Sequence, residues 1–109
     1  MLDKNSPVSG VGLKSCDGSR KALKALAAAG YAAELRDLRQ APLTDWELRA
    51  ALDAFGSALV NTRSPTWRGL DEAARAAPPE TLLAAHPALM KRPLIVQGGS
   101  MYLGLPKQL

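Results

Sequence analysis

Residues 8–30 read VSGVGLKSCDGSRKALKALAAAG, and the change of pattern inside this stretch decides the fold. Val8 to Leu13 is a short apolar run. Two glycines weaken it as a strand, but its length and flanks fit a buried first strand. From Asp17 to Ala29 the period changes. Ala22, Leu23, Leu26 and Ala27 recur at helical spacing, Arg20, Lys21 and Lys24 face elsewhere, and Gly30 stands at the expected stop. Cys16 falls on the junction between the two.

Working outward, Tyr31 to Leu38 alternates Tyr31, Ala33 and Leu35 against Ala32, Glu34 and Arg36, the pattern of a half-buried strand. Thr44-Asp45-Trp46-Glu47 is a capping box opening a helix with Leu48, Ala51, Leu52 and Phe55 on one face and Gly56 at its end. Trp46, just after the cap, is expected to staple that helix to the domain. Two more helices are expected, Pro65 to Ala76 and Pro79 to His86, parted by Pro78-Pro79. Pro93 to Gln97 is an apolar strand, Gly98-Gly99 a turn, and Ser100 to Leu103 its hairpin partner. The tail, Gly104 to Leu109, has room for one helical turn.

The order is β-α-β, a helical insertion at about 44–90, then β-β. That is the skeleton of an α/β, thioredoxin-like (glutaredoxin-like) domain with a mixed four-stranded sheet. A right-handed crossover makes the first two strands parallel. At 109 residues, 47% of them hydrophobic, one domain spanning 1–109 is expected.

Composition narrows the function. Cys16 is the only cysteine and His86 the only histidine, so an internal disulfide is impossible and the chain falls short of the four N/S ligands of the usual zinc site. No apolar run approaches the roughly 18–20 residues that span a bilayer, and the first seven residues lack a signal-peptide core. A soluble, cytoplasmic, reducing setting follows as the expectation, with no membrane contact. The net charge of +4 comes from scattered residues, and aromatics are only 5% of the chain. A basic stripe interleaved with stacking rings is missing, so direct nucleic-acid binding is not expected.

The position of Cys16 has a chemical consequence. Free N–H groups at a helix start, with the positive end of its dipole, favour thiolate over thiol. Lys14 and the Lys91-Arg92 pair add positive charge if the fold brings them close. Asp17 and Ser19 are expected to supply caps, and Gly18 lets backbone amides approach a ligand. The alternative is a small buried filler, the usual state of a lone cysteine in an apolar setting. The strand-to-helix junction favours the reactive reading.

Three segments carry a resemblance. Residues 14–22 (KSCDGSRKA), 59–68 (LVNTRSPTWR) and 86–94 (HPALMKRPL) resemble, in order, the cysteine segment, the middle motif and the P-x-L-I-x-R-P segment of the arsenate reductase-related family. That family comprises ArsC, the regulator Spx and the YffB-type proteins, and the middle motif is most similar to the YffB form. The resemblance spans about Val8 to Leu105. It implies that Cys16 is the nucleophile, that Arg92 helps hold an oxyanion, and that Pro93 is cis beside the cysteine. Lys14, Ser15, Ser19, Asn61, Arg63 and Pro93 fall at implied substrate- or anion-binding positions.

There are departures. Asn61 stands where arsenate reductases place an arginine, with Arg63 two residues later. Leu103-Gly104-Leu105 lacks their further arginine, and a histidine that some carry is Gly12 here. These changes weaken stabilisation of a trivalent oxyanion. The C-x-x-C switch of Spx-like regulators is absent, since the fourth position is Ser19. Compared with longer relatives, the C-terminal helix is expected to be a stub that exposes apolar sheet surface or a dimer contact.

Other residues have structural explanations. His86 at a helix end reads as a cap, Trp67 and Tyr102 as core packing before a groove, Gly98-Gly99 as a turn. Arg63 and Arg68 are either solvated charges or anion contacts. The expected function is that of an ArsC-like oxidoreductase, a thiol-dependent reductase with no bound cofactor and with glutathione as co-substrate. Glutathione or a glutaredoxin would resolve the adduct on Cys16. The alternative is an Spx-like binding module docking on RNA polymerase without catalysis; a third reading is a scaffold without chemistry.

Overall fold

In the computed structural model, which describes residues 2–107, the chain folds as two units, Pro42–Lys91 and the segments on either side of it. The first unit carries the sheet. Its elements are β1 (Val8–Gly12), α1 (Asp17–Ala28), β2 (Ala33–Asp37), β3 (Leu94–Gln97) and β4 (Ser100–Leu103). The strand order is β2-β1-β3-β4. β1 runs parallel to β2 and antiparallel to β3, and β3 and β4 form the hairpin. This is the expected mixed four-stranded sheet.

β1 is central, and four of its five residues are buried, so it reads as a near-continuous run instead of an alternation. Its glycines weaken the strand but let α1 approach. A Cβ on Gly10 would lie 2.3 Å from Leu23 Cδ2, and one on Gly12 only 2.1 Å from Ser19 Oγ. Leu2, Val8, Leu26, Tyr31 and Ile95 form the core here, with Ala29, Ala33 and Tyr102 packed against it. The buried face of α1 is Ser19, Ala22 and Leu26. Ala27, expected on that face, is exposed. The register is set by the i, i+3, i+7 row that begins at Ser19.

α1 ends as its sequence predicts. Gly30 takes a φ of 95°, its N–H bonds to Ala27 O at 3.1 Å, and Tyr31 N–H bonds to Leu26 O at 3.0 Å. That is a Schellman motif with its usual apolar contact, since Leu26 and Tyr31 share the core. It also explains why β2 begins at Ala33 and not at Tyr31: the Tyr31 amide is committed to the helix end. The N-terminal segment is tied to β3 by Gln97. Its Oε1 accepts from Asp3 N–H at 2.7 Å, and its Nε2 donates to Asp3 O and, at 2.9 Å, to Ser6 O. After β4 no helix follows through Lys107; the last two positions of the tail lie outside the described residues.

The second unit is helical: α2 (Asp45–Phe55), α3 (Pro65–Arg68), α4 (Glu72–Arg75) and α5 (Pro79–Ala85), with short 3-10 turns at Gly56–Leu59 and Pro87–Leu89. It buries Ala51, Leu59, Val60, Leu82, Leu83, Leu89 and Met90. An isolated antiparallel bridge pairs Val60 with Met90. The single helix expected over Pro65 to Ala76 is two. Gly69 closes α3, and Asp71 restarts the chain by accepting from Ala74 N–H at 2.8 Å. Arg75 spans the break, its guanidinium 5.5 Å from the Trp67 ring centre and its Nε donating to Trp67 O at 3.2 Å. Trp46 does not staple α2. It is 74% exposed, because it lies roughly 140° around the helix from buried Ala51 at about 100° per residue.

The capping box is present. Thr44 Oγ1 accepts from Glu47 N–H at 3.1 Å, and Glu47 Oε1 accepts from Thr44 N–H at 2.9 Å. Thr44→Ala is expected to lower stability by about 1 kcal/mol, read as a reduced urea midpoint at constant slope. Adding Glu47→Ala should take away less than it does alone, because the two bonds share one geometry.

No helix among the described residues is long and apolar enough to cross a membrane. No group of three or more His, Cys, Asp or Glu side chains among them is placed to hold a metal ion.

Candidate active site

Cys16 is the N-cap residue of α1, in extended backbone at φ −87° and ψ 118°. Its N–H bonds to Leu13 O at 3.0 Å, closing the turn that carries Lys14 and Ser15. The side chain is half-buried and free of any disulfide. It makes no capping bond. Of the first-turn amides, that of Ser19 faces the sulfur. The caps expected from Asp17 and Ser19 are also absent. Asp17 pairs with Arg20, and Ser19 turns inward.

Three influences set the state of the thiol. Burial pushes its pKa up. Against that, the Ser19 hydroxyl and backbone N–H donate to the sulfur, and the Arg92 guanidinium adds charge and a hydrogen bond. The net result is a pKa below that of an ordinary cysteine. Arg92 of the expected pair therefore reaches the sulfur, whereas Lys14 is exposed on the preceding turn. Ser19 is fully buried, and its Oγ also accepts from Leu13 N–H at 3.4 Å. One hydroxyl thus braces the strand-to-helix turn and holds the sulfur.

Arg92 precedes a cis peptide bond to Pro93, as the resemblance implied. Pro93 is buried and its carbonyl accepts from Gly104 N–H at 2.9 Å. Cys16, Ser19, Arg92 and Pro93 all belong to the first unit, with Lys14 and Ser15 exposed on the turn before the cysteine. Asn61 and Arg63 belong to the second. There Asn61 shapes its own loop: its N–H bonds to Leu89 O at 2.7 Å and its Oδ1 accepts from Arg63 N–H at 3.0 Å. Arg63 is exposed. His86 closes α5 through its backbone N–H to Leu82 O, a structural place for the only histidine.

Asp37 is a positioning residue that the sequence reading missed. At the end of β2, its carboxylate accepts from Arg39 N–H at 2.8 Å and from Lys14 N–H at 3.2 Å. It fastens the turn before Cys16 to the neighbouring strand. A lone acid between a strand and a turn was the available signal. The Arg39 and Lys14 amides hold its carboxyl below the usual carboxylate range. Because the folded state favours the charged form, this stabilisation is fully present above about pH 4, the unfolded value, and is lost as pH falls through the lower folded value. Wild type should therefore be more stable than Asp37→Asn at neutral pH. The gap, followed by thermal melts, should narrow as the solution is acidified below about pH 4.

A mixed sheet built from a β-α-β unit and a β-hairpin, with one activated thiol at the head of the first helix, defines a thioredoxin-like α/β domain. Comparison with known proteins agrees. The ArsC family profile matches residues 11–108. An uncharacterised protein of Haemophilus influenzae is 42% identical over 98 residues, 85% of this chain and 86% of that one. The solved structure of a YffB protein is 29% identical and superposes with a TM-score of 0.81 over 91% of each chain. An arsenate reductase-related protein from Brucella melitensis is 25% identical at a TM-score of 0.76, covering 97% of this chain and 92% of its own. The chain belongs to the ArsC family.

Proposed function

We propose that the protein is a thiol-dependent reductase that uses glutathione as co-substrate, with Cys16 as nucleophile. The observation that carries this is the hold on its sulfur: Ser19 and Arg92 together outweigh burial and lower the thiol pKa. In the first step the Cys16 thiolate attacks the glutathione sulfur of a mixed disulfide, forming Cys16–S–S–glutathione and releasing the substrate thiolate. A second glutathione thiolate then attacks the adduct, releasing oxidised glutathione and regenerating the Cys16 thiolate. One glutathione is consumed and one disulfide is exchanged for another, so no second cysteine is needed. Glutaredoxin would serve as the alternative resolving thiol.

Within the first unit, Lys14 and Arg92 supply cations for the carboxylates of glutathione, and Ser15 lies on the same turn before the cysteine. Arsenate fits less well, since Asn61 and Leu103-Gly104-Leu105 replace arginines of the arsenate reductases. A reducing, cytoplasmic setting suits the chemistry. Docking on RNA polymerase without catalysis is not favoured, because such a role has no use for a thiol held by Ser19 and Arg92.

The test is intact-mass analysis during turnover. A glutathionylated peptide mixed with the protein should place one glutathione on Cys16, and added glutathione should remove it as oxidised glutathione accumulates. No adduct on wild type, or an equal peptide reduction rate in Cys16→Ser, overturns the proposal.

A further inference from the structure

Gly18 is the one glycine inside an α-helix among the described residues, and the backbone does not require it there. Its φ lies outside the left-handed region, unlike those of Gly30, Gly56, Gly98 and Gly104. A Cβ built on it would meet nothing closer than 3.9 Å, whereas one on Gly10 or Gly12 would clash. Alanine is the better helix former. The two atoms at that 3.9 Å are Cys16 Sγ and the Arg92 carbonyl oxygen. The side chain that position 18 lacks would therefore stand beside the reactive sulfur. Lys14, Ser15 and Asp17 are exposed, as Gly18 is, so the half-buried thiol lies on an open turn.

We infer that Gly18 is the specificity-determining position of this site, bare of a side chain so that Cys16 can attack a glutathione mixed disulfide carried on a protein surface. The inference rests on the reductase reading and names its substrate class. A site built for a small ligand encloses about 70–90% of that ligand's surface, and an exposed turn does not. A protein-borne disulfide brings the surrounding surface of its own chain with it, so the flank of the attacking sulfur must be clear. In the exchange, the Cys16 thiolate bonds to the glutathione sulfur. The substrate disulfide breaks, and its electron pair leaves on the protein's cysteine as a thiolate. That leaving group is the bulky partner. A side chain at position 18 takes up room beside Sγ that a protein thiol needs and a small thiol does not.

The experiment compares two donors of glutathione: its mixed disulfide with mercaptoethanol, and a small folded protein glutathionylated on one surface cysteine. Transfer to Cys16 is timed by intact mass for wild type, Gly18→Ala and Gly18→Leu. The readout is the ratio of the protein-donor rate to the small-donor rate, so that a general change in thiol reactivity cancels. That ratio should fall about tenfold in Gly18→Leu and by less in Gly18→Ala, while Gly18→Ala raises the urea midpoint. An equal ratio in wild type and Gly18→Leu overturns the inference and leaves the reductase intact. So does transfer to wild type from the small donor alone, or a lowered midpoint in Gly18→Ala. No transfer from either donor overturns both.

Discussion

Ser19→Ala is expected to lower stability by about 1–3 kcal/mol and, in the same molecule, to raise the pH at which Cys16 becomes reactive. Both effects follow from one buried hydroxyl. The Leu13 amide, which it accepts at 3.4 Å, is left without that partner in a buried turn. An unsatisfied buried donor carries the full desolvation penalty. The sulfur meanwhile loses its side-chain donor and keeps the Ser19 amide and Arg92. Burial, which opposes the thiolate, is then offset by less. Urea unfolding reads the first effect and iodoacetamide rate against pH the second. A stability loss with an unmoved reactivity midpoint would mean that Arg92 and the helix start hold the thiolate without the hydroxyl.

Gly12→Ala should cost about 1–3 kcal/mol and disturb the thiol, although it adds a single methyl group. The new Cβ would lie 2.1 Å from Ser19 Oγ and 2.9 Å from Ser19 Cβ. Neither atom can retreat: Ser19 is fully buried in the first turn of α1, and Gly12 is paired in the central strand. Either the helix shifts outward, moving Cys16, or the serine rotates and releases the sulfur. Gly10→Ala gives the contrast. Its nearest neighbour is the end of the Leu23 side chain at 2.3 Å, which can rotate away, so its loss should be smaller. Combining Gly12→Ala with Ser19→Gly removes both clashing atoms. The double variant should be more stable than the sum of the single losses predicts. Strict additivity would show that the clash is relieved elsewhere.

The departure at Gly12 acquires a physical meaning from this geometry. Position 12 cannot carry a side chain while Ser19 points at it, so the glycine and the serine are one packing unit. In the sequence, the glycine registered only as a weak strand residue and a missing histidine. Elements that announce themselves locally were legible: the strand-to-helix junction at Cys16, the Gly30 stop, the Thr44 capping box and the hairpin around Gly98-Gly99. Each is written in residues within one turn of one another.

What was not legible depends on partners distant in sequence or on faces that periodicity leaves open. Pro65 to Ala76 keeps a helical composition, and only Asp71 finding the Ala74 amide divides it. Trp46 suggests a staple by residue type, but its position around α2 turns it to solvent. Asp37 is unremarkable in its strand until β2 pairs with β1 and brings the Lys14 amide to its carboxylate. Arg92 is 76 residues from Cys16 by numbering, and only the family resemblance placed it there beforehand. Ser19 was read as a cap and as the absent half of a switch, yet it is the buried group that links the turn to the sulfur.

Activation of Cys16 for exchange with glutathione is read from its alkylation rate against pH, with and without oxidised glutathione. The expected result is a midpoint below the free-thiol value of about 8.5, with protection when oxidised glutathione is present. A midpoint at or above that value, with no protection, would contradict it.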